Sequence, residues 1–225
     1  MAYLKRQNIG KFWPVARKGT KYLSVSTHNK KDSIPLVVVM REVLGIVRTK
    51  KELKKILNEK QIKINNKEIR EANYPICLFD ILSFSDKNYQ AMLSDKKKMI
   101  FKEVSGKDAE IKVFKVLGKK LLEKGKVQVN LMNGKNILLK DDVRVGDSVV
   151  YNFKDKKVEK IIKMEKGNQG FVVKGKHAGH KGEIDNIIER GGKSLAKIVV
   201  DEGKKEGESK VGKINVWIKN IVVME

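Results

Sequence analysis

The stretch Thr49-Lys50-Lys51-Glu52-Leu53-Lys54-Lys55-Ile56-Leu57 decides how this chain is read. Thr49 and Glu52 stand at the spacing of a capping box. In that arrangement a hydroxyl at the N-cap accepts from the third helical N–H, and the glutamate reaches back toward the cap. The residues that follow divide by helical period. Leu53, Ile56 and Leu57 form one face, and Lys51, Lys54 and Lys55 form the other. The pattern predicts a short helix with its apolar side on a core and a row of ammonium groups outward. Such a row suits a phosphate backbone, and a merely solvated face is the plain alternative.

Upstream, Ser33 is read as the cap of an earlier helix with Pro35 in its first turn. That helix carries Leu36 to Met40, then Val43 and Leu44, and Gly45 is its stop. Downstream, Ile62-Lys63-Ile64 alternates as a strand, Asn65-Asn66 supplies a turn tolerant of positive φ, and Glu68-Ile69-Arg70 resumes. Residues 34–103 are thus expected to be two helices followed by a small sheet.

Residues 1–33 form a basic tail with little apolar periodicity and the pair Phe12-Trp13 before Pro14. Trp13 has two readings: stacked on a nucleic-acid base, or buried against protein. Residues 104–165 read as β. Val127 to Leu131 alternates, Asn133-Gly134 is a hairpin turn, and Ile137 to Leu139 resumes. Gly146-Asp147 is a second turn, and the short strands suggest a small barrel. In residues 166–225 an apolar strand, Phe171 to Val173, enters a loop punctuated by Gly175, Gly179 and Gly182 and surrounded by Lys174, Lys176, His177, His180 and Lys181. Glycines let a main chain approach phosphates, and the cations supply charge; glycines serving only tight turns are the alternative. Ile214 to Ile218 reads as the last strand, with Trp217 in the core.

The 225 residues carry 50 Lys plus Arg against 27 Asp plus Glu, a formal net charge of +23. Self-repulsion at that level is relieved by a polyanion. The lysines recur along the whole chain instead of clustering, which favours an extended nucleic-acid contact over a membrane surface. Arginines are few (Arg6, Arg17, Arg41, Arg48, Arg70, Arg144, Arg190), so the balance points to backbone and shape recognition over base reading. The longest apolar run, Ile34 to Met40, is too short to span a membrane, and the N-terminus lacks a signal-peptide core. The lone Cys77 excludes an internal disulfide framework and predicts a reducing, intracellular setting. His177 and His180 lack acidic or sulfur companions for a metal site.

Catalytic patterns are not found. Gly170 to His177 spells G-x-x-x-x-G-K but ends in His and has a strand-like interior, and Gly192-Lys193-Ser194 lacks the first glycine of a phosphate loop. Asp80 and Asp147 sit in turns with no evident acid/base partner. The expectation is no enzyme, no cofactor and no small-molecule substrate.

The ordered set Ile34-Pro35-Leu36, Arg41-Glu42-Val43-Leu44, Glu52, Ile56-Leu57, Tyr74-Pro75 and Asp80-Ile81 resembles the S-four RNA-binding domain of the small-subunit ribosomal protein S-four-e family. Leu4-Lys5-Arg6, Trp13-Pro14-Val15 and Arg17-Lys18 are similar to that family's opening signature, and Gly125 to Leu131 and Val145 to Val149 continue the likeness. Gly170 to Ile184 resembles the KOW motif. Ser26-Thr27-His28, Asn65-Asn66 and Cys77 depart from the family's usual residues. The resemblance implies an α+β multidomain chain. A two-helix-plus-sheet RNA-binding module (34–103) is followed by a β-rich central domain (104–165) and a small SH3-like KOW barrel (166–225). It implies a structural constituent of the small ribosomal subunit, with ribosomal RNA and neighbouring ribosomal proteins as partners and no membrane. The residues expected on RNA are Lys5, Arg6, Trp13, Arg17, Lys18, Arg41, Arg48, Lys50, Lys51, Lys54, Lys55, Lys63, Lys67, Arg70, Lys174, Lys176, His177, His180 and Lys181. The alternatives are a transient accessory factor of ribosome assembly or RNA modification, and a transcription-elongation factor using the KOW segment.

Overall fold

The computed structural model describes residues 3–139, 142–190, 193–205 and 208–224, with side chains at 107, 124, 189, 190, 193–205 and 208–212 left aside. Gly192, and with it the Gly-Lys-Ser reading, lies outside the described residues. The chain is mostly β with two short helices, and it clusters into two compact units. The first is Met1–Lys112 with Phe153–Asp155, and the second is Val113–Asn152 with Lys156–Glu225.

In the first unit, β1 (Tyr3–Lys5) pairs antiparallel with β2 (Tyr22–Ser24) as a small ribbon. β3 (Ser33–Pro35) leads directly into α1 (Leu36–Val38), which widens into a π turn over Val39–Val43. Leu36 to Met40 are all buried, so this helix is apolar all round, as a core helix must be. It stops at Gly45, whose φ of +65° suits glycine, and the Ile46 N–H closes back onto the Met40 carbonyl (3.0 Å). α2 (Lys50–Asn58) follows. β4 (Ile62–Ile64) and β5 (Lys67–Glu68) form a hairpin across Asn65 and Asn66, both at positive φ as a two-residue turn demands. β6 (Pro75–Cys77) pairs with β3. β7 (Ile81–Phe84), β8 (Lys87–Leu93) and β9 (Met99–Val104) complete a five-stranded sheet in the order β5-β4-β7-β8-β9. One core joins Leu53 and Leu57 of α2 to Ile62, Ile64, Leu82, Ala91 and Met99 of the sheet and to Leu36–Met40.

β10 (Ile111–Leu121) begins in the first unit and ends in the second. There it joins β11 (Val127–Leu131), β12 (Asn136–Leu139), β13 (Ser148–Asn152) and β14 (Lys157–Ile162) in the order β12-β11-β10-β13-β14. Asn133 (φ +67°) and Gly134 (φ +82°) make the expected turn between β11 and β12. Asp147 pins its own turn, accepting from the Arg144 N–H (2.8 Å) and the Met164 N–H (2.9 Å). β15 (Gln169–Val172), β16 (Lys181–Arg190), β17 (Lys193–Lys205), β18 (Glu208–Trp217) and β19 (Ile221–Met224) form a second sheet, ordered β18-β17-β16-β15-β19.

Four expectations are corrected. Ser33 to Pro35 is not the start of a helix but a strand. The residue before a proline avoids the α region, and β6 offers Ile34 a backbone partner in Ile76. Ser33 does not cap; its hydroxyl donates to the Asn29 carbonyl (2.8 Å) and accepts from the Ser26 hydroxyl (2.8 Å). The orphan N–H groups of Leu36 and Val37 instead donate to the Tyr74 and Ala72 carbonyls (2.8 and 2.9 Å). Trp13 is 2% exposed in the core of the first unit, so it packs on protein and is not available to a base. The last strand is β19, and Trp217 is 38% exposed, not core.

Candidate nucleic-acid interface

α2 is built as the sequence pattern requires. Thr49 Oγ1 accepts from the Glu52 N–H (3.2 Å) and donates to Glu52 Oε1 (2.9 Å), while Glu52 Oε2 accepts from the Arg48 N–H (2.8 Å). The Arg48 N–H and the Thr49 hydroxyl together hold the Glu52 carboxyl below the ordinary carboxylate range. Leu53 and Leu57 are buried, and Arg48, Lys50, Lys51, Lys54 and Lys55 are exposed. Lys50 and Lys51 occupy the first turn, where the helix dipole disfavours cations. The cap therefore supports a helix whose surface charge works against it locally. Lys63 points outward between buried Ile62 and Ile64, and Lys67 and Arg70 are exposed, Lys67 on the opposite face of the hairpin from Lys63. Arg41, by contrast, is paired with Glu42 (2.9 Å).

The N-terminal ribbon makes a second basic place. Arg6 donates through Nε and Nη1 to the carbonyls of Thr20 (2.7 Å) and Ala16 (2.6 Å), and through Nη2 to Thr20 Oγ1 (3.0 Å). Its guanidinium thus organises the Ala16–Thr20 loop. A Cβ at Gly19, whose φ is +143°, would stand 2.7 Å from Arg6 Nη2, so this packing needs glycine. The loop and ribbon enclose a cleft of about 760 Å³ whose charged lining is Lys5, Arg6, Lys11, Arg17, Lys21 and Lys98. No carboxylate lines it among the described residues. Lys18 is exposed beside Arg17 but outside the lining. Lys98 also donates to the Trp13 carbonyl (2.8 Å), tying the cleft to the tryptophan's backbone.

The third group lies in the second unit, on the loop between β15 and β16. Gly175 (φ +104°) and Gly179 (φ +99°) take conformations that favour glycine, and Gly179 donates to the Val172 carbonyl (2.8 Å). Gly182 serves otherwise: it sits in β16 opposite Gly170. Lys174, Lys176 and Lys181 are exposed, and the His177 and His180 rings lie 6.1 Å apart, tilted.

The predicted residues therefore fall into three groups, and the structure adds Lys11, Lys21 and Lys98 to the second. Sequence reasoning missed these because no periodicity links Lys98 to a loop some eighty residues earlier. In the sequence Asp80 shows no evident acid/base partner. It is buried with Lys112, which donates to Oδ1, and it also accepts from Asn65 Nδ2 (2.7 Å) and the Cys77 N–H (2.6 Å). This network pins the Asn65 turn to the sheet and touches no cleft described here. Burial pushes the Cys77 thiol up to about 12, so it stays protonated at neutral pH. Among the described residues no group of three His, Cys, Asp or Glu could hold a metal, and no helix is long and apolar enough to cross a membrane.

Residues 85–158 match the family model described as Ribosomal family S4e. The chain is 34% identical over 190 residues to the small ribosomal subunit protein eS4 of Methanosphaera stadtmanae, spanning 82% of this chain and 79% of that one. It is 32% identical over 215 residues to its counterpart in Methanospirillum hungatei, spanning 92% and 88%. The crystal structure of the 30S ribosomal protein S4e from Thermoplasma acidophilum superposes with a TM-score of 0.71 at 22% identity, covering 86% of this chain and 95% of that one, which speaks to the fold. On ordered motifs, fold and relatives together, the chain belongs to ribosomal family S4e.

Proposed function

We propose that this chain is a structural constituent of the small ribosomal subunit that holds folded ribosomal RNA through many lysine–phosphate contacts. Its place is then the cytoplasmic ribosome, with ribosomal RNA and neighbouring ribosomal proteins as partners. The observation that carries the reading is the α2 surface: a capped helix with four lysines exposed along one side and leucines buried on the other. A cation row offers nothing to a neutral ligand, but it matches the regular charge of a nucleic-acid backbone. The finer architecture belongs to the same proposal. Residues 1–33 open the chain, 34–103 form the S-four-type module and 104–165 the β-rich centre. Residues 166–225 carry the KOW motif in an SH3-like barrel, its loop approaching phosphates through Gly175 and Gly179. No reaction centre is part of this reading. The proposed RNA contacts are those at α2, at Lys63, Lys67 and Arg70, at the N-terminal cleft, and on the β15–β16 loop.

The test is co-sedimentation with small subunits through a high-salt wash. A structural constituent stays at one copy per subunit, whereas a transient accessory factor washes off.

A further inference from the structure

The ribbon that walls the basic cleft carries a feature the charge count does not predict. In the β1–β2 register Tyr3 faces Ser24 and Lys5 faces Tyr22, so Tyr3, Lys5 and Tyr22 share one face while Leu4 and Leu23 share the other. Leu23 is 2% exposed, which fixes the first face outward. Tyr3 is 61% and Tyr22 49% exposed. They are diagonal neighbours across the ribbon, about 7–8 Å apart at the backbone. Lys21, a cleft residue, holds its ammonium 5.4 Å from the Tyr22 ring centroid. Two exposed tyrosine rings, one of them with the Lys21 ammonium over one face, therefore adjoin a cleft lined by cations. Arg6 braces the loop through its bonds to the Thr20 and Ala16 carbonyls, and Gly10 is packed against the Phe12 ring, which a Cβ there would meet at 2.4 Å.

We propose that this ribbon and cleft bind an unpaired stretch of RNA, with phosphates in the cleft and bases stacked on Tyr22 and Tyr3. The inference rests on the RNA-binding reading above and narrows it to one class of RNA structure. Paired RNA hides its base faces within the stack and presents a major groove too narrow for side chains, so a tyrosine face is useful only to a base already splayed out. Stacking is sequence-tolerant, and the cleft supplies the backbone charge, which is the pairing of features that single-strand sites use. Trp13, the aromatic that the sequence pattern offered for this work, stays in the core, and the two tyrosines take its place.

The test uses the full chain and two labelled probes, a uridine-rich single strand of about ten nucleotides and a duplex of about ten base pairs, read by fluorescence anisotropy. The Tyr3→Leu/Tyr22→Leu double variant is expected to lose about tenfold in affinity for the single strand, with its salt slope and its duplex affinity unchanged. Tyr3→Phe/Tyr22→Phe, which keeps the ring faces, should restore the single-strand affinity. Lys11→Gln/Lys21→Gln should instead lower the salt slope for the single strand by about 1.4. Thermal melts of each variant confirm the fold. Unaltered single-strand binding by the leucine variant overturns the inference, as does an equal loss on duplex. Loss of a neighbouring ribosomal protein from reconstituted subunits, with single-strand binding intact, also overturns it by making the ribbon a protein contact. If the wild-type chain binds neither probe nor folded ribosomal RNA, the broader RNA reading fails, and that result is distinguishable from failure of the tyrosine site alone.

Discussion

The lysines of α2 and the pair Lys112 and Lys115 in the first half of β10 are the same side chain in opposite surroundings. On α2, Lys50, Lys51, Lys54 and Lys55 stand in solvent. On β10, Lys112 and Lys115 are 1% and 3% exposed. Lys112 meets the Asp80 carboxylate, whose second oxygen is held by the Cys77 N–H. Lys115 donates to the carbonyls of Ile218 and Ile221, and among the described residues no carboxylate pairs with it. Net charge is thus not a measure of charge offered to a partner. Lys112 and Lys115 of β10 act inside the protein, and the α2 lysines are available to a phosphate.

That contrast can be broken at several points. The largest effect is expected for Asp80→Ala, which leaves Lys112 buried without its counter-charge and strands Asn65 and the Cys77 N–H. It should cost about 3–5 kcal/mol in urea unfolding, with the denaturant slope unchanged. A loss under about 1 kcal/mol would mean the pair does not hold the turn. Next, replacing Lys51, Lys54 and Lys55 together by glutamine should lower affinity for small-subunit ribosomal RNA by about 10- to 100-fold at moderate salt. The thermal midpoint should stay within about 2 °C, since only exposed charge is removed. A large drop in melting temperature with intact binding would make the row a structural feature.

Lys115 sharpens the comparison through pH. Burial lowers its ammonium from 10.5 to about 8, so between those values the unfolded chain binds a proton that the folded chain lacks. Stability from this group therefore rises as pH climbs from about 8 toward 10.5, by up to about 3 kcal/mol. The rise should be missing from Lys115→Met when the two proteins are compared across that window by chemical denaturation. The smallest effect belongs to the helix cap. Thr49→Ala should cost about 1 kcal/mol, and affinity for RNA should weaken only as far as the α2 lysines lose their alignment.

The sequence made legible what is set within a few residues. The α2 cap, its two faces, the Asn65-Asn66 and Asn133-Gly134 turns and the glycine loop after β15 all depend on neighbours in the chain. Long-range pairing was not legible. Ser33 to Pro35 reads as a helix start until β6, some forty residues later, offers it backbone partners. Trp13 stays open between base and core because its basic, apolar-poor segment gives no sign of the core it joins. The Lys112–Asp80 pair joins residues far apart in the chain, and no local spacing announces it. The exposure of Tyr3 and Tyr22 depends on the β1–β2 register, which turns Leu23 inward and is set by residues some twenty positions apart.

The central claim is that exposed lysines, and not buried ones, neutralise RNA phosphate. Its most direct test is the dependence of ribosomal RNA affinity on salt concentration for wild type, the α2 triple variant and Lys115→Met. The account predicts a steep fall for wild type, a slope smaller by about 2–3 for the triple variant, and the wild-type slope for Lys115→Met. A flat dependence for wild type, or one slope shared by wild type and the triple variant, would contradict it.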